Sequence, residues 1–157
     1  MGSNLGILHV EDLDAPRLII GEYLRSLGYD NVDSVASGAE ALEMLEAHPG
    51  KYFCLLVDIR MPGMNGIELT ARIRKNDVSA HLPIIILTSE PTEGNLLECI
   101  KAGVSGFLSK PPKKTELQIE LERARELLIS GESPRLVNPE EIDRFEISML
   151  TRKFRRN

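Results

Sequence analysis

The sequence predicts an α/β fold, a doubly wound parallel sheet of five strands with helices on both faces. Short apolar runs alternate five times with segments whose apolar residues recur at helical spacing, the order that builds βαβ units. The runs at residues 53–57 and 83–87 are almost continuously apolar, which marks strands buried on both faces. Four runs stop on polar or charged residues, at the edge where open α/β sheets place their chemistry.

The run at residues 5–10 stops on Glu11 and Asp12, two successive acids that cannot both be buried without a cation to offset them. Between residues 15 and 27, Leu18, Ile19, Tyr23, Leu24 and Leu27 follow a helical period, and Gly28 closes the helix. Asp30 and Asn31 turn the chain into a short strand at residues 32–35, whose Asp33 and Ser34 suit a sheet edge. Ser37 is placed to cap a helix carrying Ala41, Leu42 and Leu45, which Pro49 and Gly50 end. The central strand then ends on Asp58. Pro62, Gly63 and Gly66 make the next residues a tight loop, so this carboxylate is presented at the mouth of the sheet.

A third helix at residues 66–75 offers Ile67, Leu69 and Ile73 to the core. The run at 83–87 ends on Thr88 and Ser89, and a fourth helix is expected at 95–102. A short strand at 106–108 leads to Lys110 and Pro111. The fifth helix, at 115–129, aligns Leu117, Leu121, Ala124 and Leu128 on one stripe.

Composition narrows the function. The chain's 157 residues amount to about one domain with a remainder, and a net charge of -5 argues against a nucleic-acid-binding surface. Cys54 and Cys99 have no metal spacing and read as core thiols of a reducing, cytoplasmic protein. No apolar run reaches the roughly 18 to 20 residues of a membrane span, and the amino terminus lacks a signal peptide's pattern. Met1, Gly2 and Ser3 read as a cloning remnant. His9, His48 and His81 are scattered without ligand spacing.

In a parallel sheet the strand ends bring Glu11, Asp12, Asp58, Thr88, Ser89 and Lys110 to one edge. Three clustered carboxylates suit a hard divalent cation such as Mg²⁺, which takes one or two carboxylates together with water and a phosphate oxygen. Asp58 is placed to act as both ligand and nucleophile toward phosphorus. Lys110 and the ion would neutralise phosphoryl oxygens, and the Thr88 hydroxyl would bond one of them.

Over residues 5–130 the chain resembles the CheY-like receiver domain of two-component response regulators. The resemblance rests on Glu11-Asp12, on the loop from Asp58 through Arg60, Met61, Pro62 and Asn65 to Gly66, on Thr88-Ser89, and on Gly106-Phe107-Leu108-Ser109-Lys110-Pro111. It implies a flavodoxin-like sheet in the order 2-1-3-4-5. It further implies phosphoryl transfer from a histidine kinase or phosphotransfer protein to Asp58, with Mg²⁺ held by Glu11, Asp12, Asp58 and the backbone carbonyl of Arg60. Thr88, Ser89 and Lys110 would hold the phosphoryl group, while Thr88 and Phe107 form the switch. Arg60 and Glu90, each two residues beyond a family position, flank the path of water to the phosphoryl group. Their opposite charges would pair there and gate hydrolysis.

Glu11 stands where the family often has aspartate, and Asn65 where aspartate is common. Val104-Ser105-Gly106 lacks the acidic pair of many winged-helix regulators, which weakens the case for their form of dimer, though homodimerisation stays open. Two alternatives are a degenerate receiver serving as a protein-binding scaffold and a haloacid-dehalogenase-type hydrolase. The first sits poorly with Asp58, Thr88 and Lys110. The second wants an acid at the position of Arg60.

Residues 131–157 read as a linker and a further helix. Asn138, Pro139, Glu140 and Glu141 form a helix start, followed by Ile142, Phe145, Met149, Leu150 and Phe154 and by the basic Arg152, Lys153, Arg155 and Arg156. A helix at 138–156 would dock on the receiver, dimerise, or lead into an output domain. The expectation is a phosphorylation-controlled signalling module acting on a downstream output domain or protein, not an enzyme with an external substrate. No direct nucleic acid contact and no membrane contact are expected.

Overall fold

The computed structural model describes residues 4–144. The elements run β1 (Gly6–Val10), α1 (Asp14–Ser26), β2 (Val32–Val35), α2 (Gly38–Ala47), β3 (Tyr52–Asp58), α3 (Gly66–Lys75), β4 (Ile84–Thr88), α4 (Glu93–Ala102), β5 (Gly106–Ser109) and α5 (Lys114–Ser130). All strand pairs are parallel, in the order β2-β1-β3-β4-β5. The flavodoxin-like arrangement expected from the sequence is the one observed.

Strand periodicity divides the core into two layers. Leu55 and Val57 of β3 and Ile84 and Ile86 of β4 face a cluster with Ala41, Leu69, Ile73 and Cys99, from α2, α3 and α4. Their neighbours Cys54, Leu56, Ile85 and Leu87 face Ile20 and Leu24 of α1 and Leu117 and Leu121 of α5. Both layers are needed because β1, β3 and β4 are buried along their whole length. Half-exposed β2 lies at one edge and β5 at the other.

Local chemistry sets the helix starts. Ser37, Asn65 and Thr92 each accept a backbone N–H three residues on, from Glu40, Glu68 and Asn95. The Thr92 cap starts α4 two residues earlier than the apolar spacing predicts. β5 continues through Ser109, and α5 starts at Lys114 and continues through Ser130. In the tail, a 3-10 turn at Pro139–Glu141 leads into helical residues 142–144, and Asn138 makes no side-chain cap. The rest of the expected helix, from Phe145 through Met149, Leu150 and Phe154 to the basic residues, lies outside the described residues.

The loop after β3 closes against its own strand, since Gly66 donates its N–H to the Ile59 carbonyl at 2.9 Å. A Cβ on Gly66 would lie 2.4 Å from the Asp58 carbonyl oxygen, so only glycine allows this approach. Gly66→Ala is therefore expected to lower stability by about 1 to 3 kcal/mol through overpacking. The check is the urea midpoint, which should fall with no change in slope.

Candidate functional site

Parallel strand ends carry the acids to one place. Glu11 and Asp12 follow β1 and Asp58 ends β3; each offers one carboxylate oxygen, and these lie within 4.8 Å of one another. Glu11 is fully buried and Asp58 is 8% exposed, so water does little to screen their repulsion. A cation from the far edge of the sheet offsets it. Lys110, just past β5, donates from Nζ to Glu11 Oε1 at 2.7 Å and lies 3.3 Å from Asp58 Oδ2. Its own backbone N–H is held by the Thr88 carbonyl at 2.8 Å, which ties the cation's position to β4.

Compensation is incomplete. Burial pushes the Glu11 carboxyl up to about 7, its contact with Asp58 adds to this, and Lys110 opposes it. Among the described residues, Glu11 Oε2 and Asp12 Oδ1 are buried with no hydrogen-bond partner. Behind them His9 is 1% exposed, and burial first, then the charges of Lys110 and Arg17, lower its pKa to about 4. The imidazole is therefore neutral at physiological pH.

Arg17, which the sequence reading did not single out, braces the acid pair. From the first turn of α1 it donates through Nη1 to the Glu11 carbonyl at 2.9 Å and pairs with Asp14. A basic residue one helical turn beyond an acid was the only sequence signal.

The acids open onto a cleft of about 650 Å³, whose lining includes Asp12, Asp58, Arg60, Asn65, Ser89 and Lys110. Leu13 and Pro16 add an apolar wall that sequence reasoning missed. Arg60 and Glu90 form an ion pair between exposed side chains at this mouth. Thr88 is buried, and its Oγ1 accepts the Glu90 N–H at 3.0 Å, so the oxygen is engaged within its own loop. Phe107 is half-buried against the α2–α4 layer. Glu11, Asp12, Asp58, Ser89 and Lys110 thus converge, whereas Thr88 and Phe107 stand behind the cleft.

A buried acid cluster with one lysine and an open mouth can hold a hard cation and present a carboxylate nucleophile to an anionic group. Comparison with known proteins agrees. The response regulator receiver domain model matches residues 7–122. Chemotaxis protein CheY-3 of Vibrio cholerae serotype O1 is 34% identical over 128 residues, 82% of this chain and 97% of that protein. Chemotaxis protein CheY of Pseudomonas aeruginosa is 37% identical over 117 residues, 74% of this chain and 93% of that one. Among solved structures, the receiver domain of sensor histidine kinase PA1611 from P. aeruginosa PAO1 has a magnesium ion coordinated in its active site cleft. It matches with a TM-score of 0.71 at 36% identity, over 79% of this chain and 99% of that one.

The raised Glu11 value has a measurable sign. The metal-free folded state keeps that proton up to about pH 7, while the unfolded chain releases it near 4.5, so stability falls as pH rises between them. Asp58→Asn removes a contact that raises the Glu11 value and should stabilise the metal-free protein at pH 7 by about 1 kcal/mol. Urea titrations at pH 5 and 7 should show parent and variant diverging toward the higher pH.

Proposed function

The chain belongs to the response regulator receiver domain family, and we propose that it accepts a phosphoryl group on Asp58 in a Mg²⁺-dependent reaction and changes shape in response. The carrying observation is the convergence of Glu11, Asp12 and Asp58 beside Lys110 at the open mouth of the sheet. The phosphodonor is a histidine kinase or phosphotransfer protein, and the recipient of the signal is an output domain or protein downstream. The chain acts on no external substrate beyond that donor.

Mg²⁺ fits the residues present. Two buried carboxylate oxygens without partners, on Glu11 and Asp12, and the nearby Asp58 are hard oxygen donors with charge to spare. Glu11, Asp12, Asp58 and the Arg60 carbonyl would hold it, and the magnesium in the PA1611 receiver's cleft supports the choice of metal. When bound, the ion neutralises phosphoryl oxygens as charge builds on them.

In the transfer an Asp58 oxygen forms the new bond to phosphorus while the donor's nitrogen–phosphorus bond breaks, its electron pair returning to the imidazole. Lys110, already between Glu11 and Asp58, offsets the charge of the incoming group. Ser89 at the cleft wall and Thr88, once its oxygen leaves the Glu90 N–H, contribute hydrogen bonds to phosphoryl oxygens. That movement vacates space for the half-buried Phe107 ring to turn inward. Hydrolysis reverses the covalent step: water attacks phosphorus, the bond to Asp58 breaks, and inorganic phosphate leaves. The Arg60–Glu90 pair stands over the approach to that step and obstructs in-line water.

Incubation with a small phosphodonor and Mg²⁺ should add one phosphoryl group by intact-mass measurement, and none to Asp58→Asn. Uptake by that variant would overturn the assignment. Arg60→Ala and Glu90→Ala should each shorten the phosphoryl half-life by roughly two- to fivefold, about 1 kcal/mol of barrier or less. A longer half-life in Glu90→Ala would make Glu90 a residue that assists water.

A further inference from the structure

The segment after α5 does not leave the body. Gly131, with φ at 72°, turns the chain back, and the Leu136 N–H donates to the Val104 carbonyl at 2.9 Å. The Arg135 guanidinium lies against the adjoining Gly103: a Cβ there would be 2.7 Å from Arg135 Nη1. The segment therefore rests on the α4–β5 loop, residues 103–105, and lies beyond the region matched by the family model.

That loop is a node. Buried Arg74 of α3 donates from Nε to the Gly103 carbonyl at 2.8 Å and from Nη1 to the Leu82 carbonyl at 2.6 Å. Arg123 of α5 donates to the Ser105 carbonyl. Ser105 exchanges bonds with Ile84, donating its N–H to the Ile84 carbonyl at 2.8 Å and accepting the Ile84 N–H on Oγ at 2.9 Å. β4 and β5 are thus fastened together here, while at the other end Thr88 pairs with Ser109 beside Lys110. A four-residue strand spans only about 13 Å, so a shift at its Lys110 end reaches Val104 through paired backbone.

The tail is the weakest member of this node. Among the described residues it contributes one neutral backbone hydrogen bond, whereas Arg74 and Arg123 make charge-assisted ones. The Leu136 side chain stays 41% exposed, so docking gains little apolar burial. Arg135 also brings a second cation toward Arg74, and among the described residues neither guanidinium has a carboxylate partner. We propose that residues 132–137 are a strap, docked on the α4–β5 loop in the unphosphorylated chain and released when Asp58 is phosphorylated, with β5 as the connecting element. This rests on the receiver reading above. Release frees the chain from Glu132 onward and uncovers the Val104 carbonyl in the loop that leads into the edge strand.

Coupling of this kind is reciprocal: a contact that phosphorylation loosens must, once removed, favour the phosphorylated-like state. The test uses the full chain with Mg²⁺ and beryllofluoride, a phosphoryl mimic. In the parent, saturating beryllofluoride should raise hydrogen exchange at the Leu136 amide several-fold. Leu136→Pro, which removes the donor, and Arg135→Ala, which keeps the backbone, should each bind beryllofluoride roughly fivefold tighter, at the low end of coupling between sites. A Leu136 amide equally or better protected in the complex, or parental affinity in a folded Arg135→Ala, overturns the strap while leaving the receiver reading intact. A parent that takes up no beryllofluoride overturns both.

Discussion

Charge repulsion among Glu11, Asp12 and Asp58, answered by the ammonium of Lys110, is the constraint on which the rest of the molecule depends. A trio of carboxylates within 4.8 Å, two of them buried, is costly to assemble. It persists because each acid is fixed to the carboxyl end of a strand whose remaining residues are wholly in the core. The sheet holds the acids together, and the cation makes the arrangement tolerable. Burial first, and the neighbouring Asp58 after it, raise the Glu11 value, and among the described residues one oxygen each of Glu11 and Asp12 is buried without a partner, a donor set that suits a divalent ion.

A half-buried lysine and a buried arginine divide the labour at opposite ends of β5. Lys110 meets the carboxylates of Glu11 and Asp58. Arg74 meets carbonyls of Gly103, Ala80 and Leu82, with no carboxylate partner among the described residues, and so locks α3 to the chain on either side of β4. The two ends of β5 are thus held by different chemistry, neutral carbonyls at one and carboxylates at the other. At the mouth of the cleft Arg60 and Glu90 form an exposed ion pair, which contributes about 0 to 1 kcal/mol of stability.

The order of elements and the identity of the acids were legible because they are written in short-range patterns. Continuous apolar runs mark buried strands, Ser37 marks a helix start, and a carboxylate after such a run marks the sheet's edge. Asn65 was read only as a departure from a family position, yet its side chain caps α3, a role visible once the loop's path is known. Arg74 looks in sequence like any basic residue in the last turn of a helix. Its burial comes from three carbonyls on two separate loops, which no local pattern records.

By itself the sequence determined the alternation of strands and helices, the two-sided burial of the central strands, and which residue types reach the functional edge, since each follows from periodicity and turn chemistry over a few neighbouring residues. Tertiary structure alone decided the pairings. Lys110 meets Glu11 across 99 positions, more closely than it meets Asp58; Thr88 turns its oxygen to Glu90; and the tail finds Val104 instead of solvent. Those choices depend on distances between side chains brought together from separate elements, and such distances exist only once the sheet has set the strands side by side.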